Sequence, residues 1–181
     1  IFAYLGDMTA AGADEIGQAL QGVASSADAA GLSLERTAAY IATISSITRQ
    51  GASTIGRSLN SMLSRYQSIK EKGFNEEDAT NLNQVTKALD SVGIAAVDSF
   101  GQLRDFGSVL DELGPKFKEL DTNQRNYVAT TLFGTFQMNR GITLLENYDI
   151  AMTNYGMAMD SAGTAQEKFN IYQESTQAHL D

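Results

Sequence analysis

The chain has no cysteine and no tryptophan, and only one proline and one histidine in 181 residues. Without cysteine it forms no disulfide scaffold and no thiolate metal site. The single histidine, His179, lies two residues from the end, which removes a histidine-based triad or metal cluster and leaves a solvated side chain. No stretch of about 18 apolar residues is present, so no segment reads as a membrane span. Charge is also sparse: Asp, Glu, Lys and Arg make up 19%, below the usual quarter or so. Ala, Gly, Ser, Thr, Asn and Gln fill the remainder, giving a neutral polar surface. The hydrophobic fraction of 43% is enough for a buried core.

The net charge of −9 is unevenly spread. Arg36, Arg49, Arg57, Arg65, Lys70 and Lys72 fall in one window whose only acid is Glu71, and the chain outside it is strongly acidic. An acidic total argues against specific nucleic-acid binding, which depends on phosphate neutralisation by Lys and Arg. The window fits a contact with an acidic neighbouring helix or subunit, or arginines solvated on helix faces. Arg49, Arg57 and Arg65 are therefore the candidate interaction surface. Met157 joins them, because it falls off the apolar face that places Met152 and Met159 in the core.

Helical periodicity dominates. Asp14 to Ala30 carries Ile16, Leu20, Val23 and Ala27 on one face, with Gly31 in the position that ends a helix. Ser33 caps the next, whose expected stripe is Leu34, Ala38, Ile41, Ile44 and Ile47. Arg49-Gln50-Gly51 closes it. Ser53 caps a third helix with Ile55, Leu59, Met62, Leu63, Tyr66 and Ile69 buried, stopped at Gly73. Asn75 and the acids Glu76, Glu77 and Asp78 start a fourth through Leu82, Val85, Ala88 and Leu89. Ile94 to Leu103 is the exception, a small β-hairpin or extended loop around Asp98-Ser99-Phe100-Gly101. Asp105 caps a short helix through Val109, Leu110 and Leu113, which Gly114-Pro115 breaks. Asp121 and Gln124 have capping-box spacing ahead of Tyr127, Val128, Leu132 and Phe133, and Gly134 ends that helix. Ile142 to Met159 reads as one helix. Thr164 and Glu167 begin the last, which runs to the end of the chain. The expected fold is all-α, a multi-helix globular domain of about seven helices with at most one small hairpin near 94–103. Gly93 to Gly101 is the candidate boundary between two subdomains, 1–92 helical and 94–181 hairpin plus helices.

No chemistry surfaces in this pattern. Glu76-Glu77-Asp78 is explained by the helix dipole, and Asp111-Glu112 are neighbours on a helix and point in different directions. The glycines form neither a dinucleotide nor a P-loop fingerprint. No enzyme and no cofactor are expected. The chain opens at Ile1 with no basic leader ahead of an apolar run, and is read as a fragment of a longer protein.

Several blocks, in order, carry a family resemblance. They are Leu32-Ser33 with Glu35, Ala38-Ala39 and Ile41-Ala42; Thr48-Arg49-Gln50, Ile55-Gly56-Arg57-Ser58-Leu59 and Ser64-Arg65-Tyr66; and Gly93-Ile94, Asp98, Gly101, Arg104-Asp105 and Val109-Leu110 with Leu113. Leu132-Phe133-Gly134-Thr135 with Asn139-Arg140, then Leu145-Glu146-Asn147-Tyr148 and Ser161 to Ala165, complete the series. Together they resemble the conserved helical region of phage tail tape measure proteins. Ala95-Ala96-Val97 and the extra aromatic Phe136 depart from that pattern. The resemblance implies a structural virion protein in the tail tube lumen. It would set tail length during assembly and leave during DNA ejection. It also implies tail tube protein, tail assembly chaperones and distal tail proteins as partners, a homo-oligomer, and host envelope contact through the parent protein. It transfers no catalytic residue. The alternative is a non-catalytic bacterial helical interaction module with no tail role, whose parent would be short.

Overall fold

The apolar stripe from Ile16 to Ala27 is buried as expected, but two helices carry it rather than one. The computed structural model describes residues 12–71 and 76–161. In it α1 runs Ala13–Gln21 and α2 runs Ala24–Ala29. The break falls at Gly22-Val23, where a helix-weakening glycine precedes a β-branched residue and the Val23 N–H turns back to the Leu20 carbonyl. Helix α2 ends as predicted. Leu32 N–H reaches the Ala27 carbonyl and Gly31 N–H reaches that of Asp28, with Gly31 at φ +75°.

Helix α3, Leu34–Thr48, starts at Ser33, whose hydroxyl accepts the Arg36 N–H at 3.2 Å. Every residue from Thr37 to Ser45 is buried, so α3 is a shaft covered on all sides. Thr37 and Thr43 enter the core because their hydroxyls donate to carbonyls one turn back, at 2.8 and 2.7 Å. What is buried is therefore a central block rather than a stripe. Leu34 and Ile47, expected in the core, lie at its two ends and are 45% and 41% exposed.

Arg49 takes the left-handed conformation (φ 56°) and turns the chain toward α4, Ala52–Glu71. Ser53 lies inside the first turn of α4 rather than ahead of it, and the Gly51 carbonyl accepts from Thr54 and Ile55. The stripe from Ile55 to Ile69 is buried as expected. Helix α4 packs on α1, α2 and α3 and on the helices over Glu76–Asp90 and Thr122–Phe133. It approaches α1 at Gly56, where a Cβ would stand 2.9 Å from Ala19. The expected stop at Gly73 and the cap at Asn75 lie outside the described residues.

Helix α5, Glu76–Asp90, buries Val85, Ala88 and Leu89. The hairpin expected over 94–103 reduces to a single antiparallel bridge, Val97 to Leu103. Its turn is held by the Asp98 carboxylate, which accepts the N–H groups of Phe100 and Gln102 at 2.9 Å each.

Helix α6, Phe106–Phe117, contains Pro115, which does not break it. In a last turn the proline removes one bond to the Asp111 carbonyl, and buried Leu113, Gly114 and Phe117 hold the turn in place. Helix α7, Thr122–Phe133, opens with the predicted capping box, Gln124 N–H to Asp121 at 2.9 Å and Asp121 N–H to Gln124 at 3.1 Å. Tyr127 sits one residue off the Val128/Leu132 face and is 46% exposed.

The single helix expected over 142–159 is two: α8, Met138–Glu146, and α9, 148–161. The break is Asn147, whose side-chain amide donates to the Thr143 carbonyl and competes with the backbone. Met152 packs against the core, but Met159 is exposed, which corrects its expected burial. Thr164, Glu167 and His179 lie outside the described residues. The all-α fold is as expected, with nine helices rather than about seven among the described residues. One hydrophobic core runs from Ile16 in α1 to Ala158 in α9.

Candidate functional site

Two polar features stand out on this scaffold. The first joins α3, α6 and α9. Arg36 donates to both Asp111 oxygens at 2.9 and 3.1 Å, and Tyr148 donates to the same carboxylate at 2.7 Å. The Tyr148 hydroxyl hydrogen is spent there, so Tyr40 is the donor in the 3.1 Å contact between the two hydroxyls. Arg36 also lies over the Tyr155 ring, 5.1 Å from its centroid. Burial pushes the Tyr40 phenol up to about 12. It pushes Tyr148 up further, helped by Tyr40 and by Asp111. Phenols held protonated this firmly serve as hydrogen-bond donors rather than as bases or nucleophiles at neutral pH. This network is a clasp that fixes three helices.

Beside the clasp is a cleft of about 340 Å³, lined by Asp111, Gly114, Pro115, Tyr148 and Met152, with Lys118 and Asp149 paired at 3.3 Å. Bonding to Lys118 lowers the Asp149 carboxyl below its ordinary range, and bonding to Arg104 does the same for Glu112. Among the described residues, no group of three or more His, Cys, Asp or Glu side chains is placed to hold a metal ion. No described helix is long and apolar enough to cross a membrane.

The second feature gathers arginines around the loop 134–137. Arg65, exposed on α4, donates from Nε and Nη2 to the Thr131 carbonyl at 3.4 Å, and its stem lies against Gly134 (φ +78°). Arg140 donates to Gln137 and to Gln50, both at 2.9 Å, which brings it next to Arg49 at the end of α3. Arg57 is exposed on α4 two turns before Arg65, about 12 Å along the axis. It makes one long contact, 3.4 Å, with Thr54. Arg65 and Arg140 thus flank the 134–137 loop, Arg49 is one residue from Gln50, and Arg57 is one helical turn before Ser61 on α4. Met157 is half-buried on α9. The ion pairs among the described residues use Arg36, Arg104, Lys118 and Arg125, and none uses Arg49, Arg57, Arg65 or Arg140.

Charge alone pointed to Arg49, Arg57 and Arg65. It missed Arg140 and Phe136, which meet the others only through the fold. No local signal links Arg140 to Gln50, 90 residues away, or Tyr40 to Tyr148, 108 residues away.

A family model described as phage-related minor tail protein matches residues 1–134 of the chain. No solved structure matches it.

Proposed function

We propose, from the premise that the chain belongs to the phage-related minor tail protein family, that it is the compact helical module of a tape measure protein. A phage tail protein with a structural role follows from the family itself. The finer role rests on one observation: the family match spans the blocks at 32–42, 48–66 and 93–113 that resemble tape measure proteins. The parent is then a long helical protein that occupies the tail tube lumen as a homo-oligomer. It templates polymerisation of tail tube protein, engages assembly chaperones and distal tail proteins, and leaves ahead of the DNA. The module itself is non-catalytic. The network of Arg36, Asp111, Tyr148 and Tyr40 is spent on holding helices together, which suits a part that transmits contact rather than turns over a substrate.

Mass spectrometry of purified tails before and after DNA ejection tests this. The chain should be present in filled tails and depleted from emptied ones. Equal amounts in both would remove the lumen-and-release role, and absence from filled tails would remove the tape measure reading altogether.

A further inference from the structure

The two segments that build the arginine region share a property no other part of the chain has at this length. Residues 36–70 contain no acid, and neither do residues 122–145, although the chain carries 22 acids. The first segment supplies most of α3 and α4, and the second supplies α7, the 134–137 loop and most of α8. The fold lays them side by side, α4 on α7, α7 on α8 and α8 on α3. Arg49, Arg57, Arg65 and Arg140 therefore stand on a surface with no carboxylate of its own segments to neutralise them.

Between α4 and the loop lies a cleft of about 440 Å³. Ser61, Arg65 and Ser68 form one wall, and Phe133, Gly134 and Phe136 form the other. Phe136 is 95% exposed. The loop that carries it is strapped at both ends, by Arg65 against Gly134 and by Arg140, which donates to Gln137 and to Gln50. The phenyl ring is thus displayed by a fixed loop.

We infer that this cleft docks an acidic polypeptide segment carrying an apolar side chain. The apolar group seats against Phe133 and Phe136, and its carboxylates meet the guanidinium of Arg57 and the remaining N–H groups of Arg65 and Arg140. A guanidinium matches a carboxylate in shape and charge, and an aromatic beside arginine is the usual composition of a protein contact. A nucleic acid fits less well. It would meet only a few cations on a chain of net charge −9, whose remaining surface repels phosphate. The inference stands whether or not the parent protein sets tail length.

The test is fluorescence anisotropy with the full chain and a labelled synthetic peptide of repeated Glu-Glu-Leu-Phe units. The same peptide with Lys for Glu and an oligothymidylate of similar length serve as comparisons. Binding of the acidic peptide should weaken about tenfold between about 50 and 200 mM salt, as screening shortens the reach of the arginines. Arg57→Glu and Phe136→Ala should each weaken it at least about fivefold, since each removes one side chain of a small contact patch. Both side chains are exposed, so circular dichroism of the two variants should match the parent chain. No binding of the acidic peptide, equal binding of the lysine peptide, or unchanged affinity in both variants overturns the inference. Tighter binding of the oligothymidylate reassigns the surface to nucleic acid. Self-association that both variants abolish reassigns it to a second copy of the chain.

Discussion

Removing the Tyr148 hydroxyl tests the clasp directly. The group makes two bonds, donating to Asp111 at 2.7 Å and accepting from Tyr40 at 3.1 Å. The Asp111 side chain is 44% exposed, so solvent screening brings the first bond to or just below the bottom of the charge-assisted range, about 1–1.5 kcal/mol. The second loss is of a different kind. Tyr40 is 0% exposed, and its hydroxyl would be left in the core without a partner, at about 1–1.5 kcal/mol. Tyr148→Phe should therefore destabilise by about 2–3 kcal/mol, which lowers Tm by about 4–12 °C in a chain of this size. Tyr40→Phe leaves the Tyr148–Asp111 bond in place and should cost only about 0.5–1 kcal/mol. The double variant has no orphaned hydroxyl and should cost about 1 kcal/mol less than the sum of the singles. Urea denaturation followed by far-UV circular dichroism measures all three. A Tyr148→Phe protein within about 0.5 kcal/mol of the parent, or a Tyr40→Phe protein less stable than Tyr148→Phe, would refute the reasoning.

Three further outcomes are expected. Gly141→Ala replaces a poor helix former with the best one, worth about 1 kcal/mol in its favour, yet the new Cβ would stand 1.9 Å from Phe133 Cδ2. Overpacking at about 1–3 kcal/mol should dominate, so the variant should melt lower, and a higher Tm would contradict the α7–α8 contact. Asp121→Ala removes the acceptor for the Gln124 N–H and should cost about 1 kcal/mol in the same denaturation assay, whereas Asp121→Asn should recover most of it. Burial raises Tyr40 to about 12 and also raises Tyr66 and Tyr148, whereas in the unfolded chain phenols titrate near 10. A raised folded pKa contributes stability that is complete below pH of about 10 and is lost as pH climbs toward 12. Tyrosinate absorbance should therefore rise together with unfolding in that window, and a smooth titration with native circular dichroism would show these phenols to be accessible.

Local chemistry made part of this fold legible. Ser33, Gly31 and the Asp121–Gln124 box are caps whose partners lie within five residues, and the α4 stripe repeats along one helix face. The misjudged positions depend on what lies across the fold. Leu34, Ile47 and Met159 are apolar residues at helical spacing, but they fall toward helix ends and stand 45%, 41% and 47% exposed. Pro115 was expected to end α6, and it is tolerated because Leu113 and Phe117 anchor the turn around it. The helix breaks at Gly22 and Asn147 turn on one glycine or asparagine among good helix formers, too weak a signal to separate from continuation. At the arginine surface, composition exposed the acid-free run from 36 to 70. It did not show that a second acid-free run, 122–145, lies beside it, nor that the extra aromatic Phe136 stands at their junction.

Tail length measured against parent length tests the central claim most directly. In-frame deletions would be made in the helical region of the parent gene outside this module, and tail lengths read by electron microscopy. The account predicts tails shortened in proportion to the residues removed, by about 1.5 Å each for a helical ruler, with this module retained in every particle. Tails of unchanged length across the deletion series would contradict it.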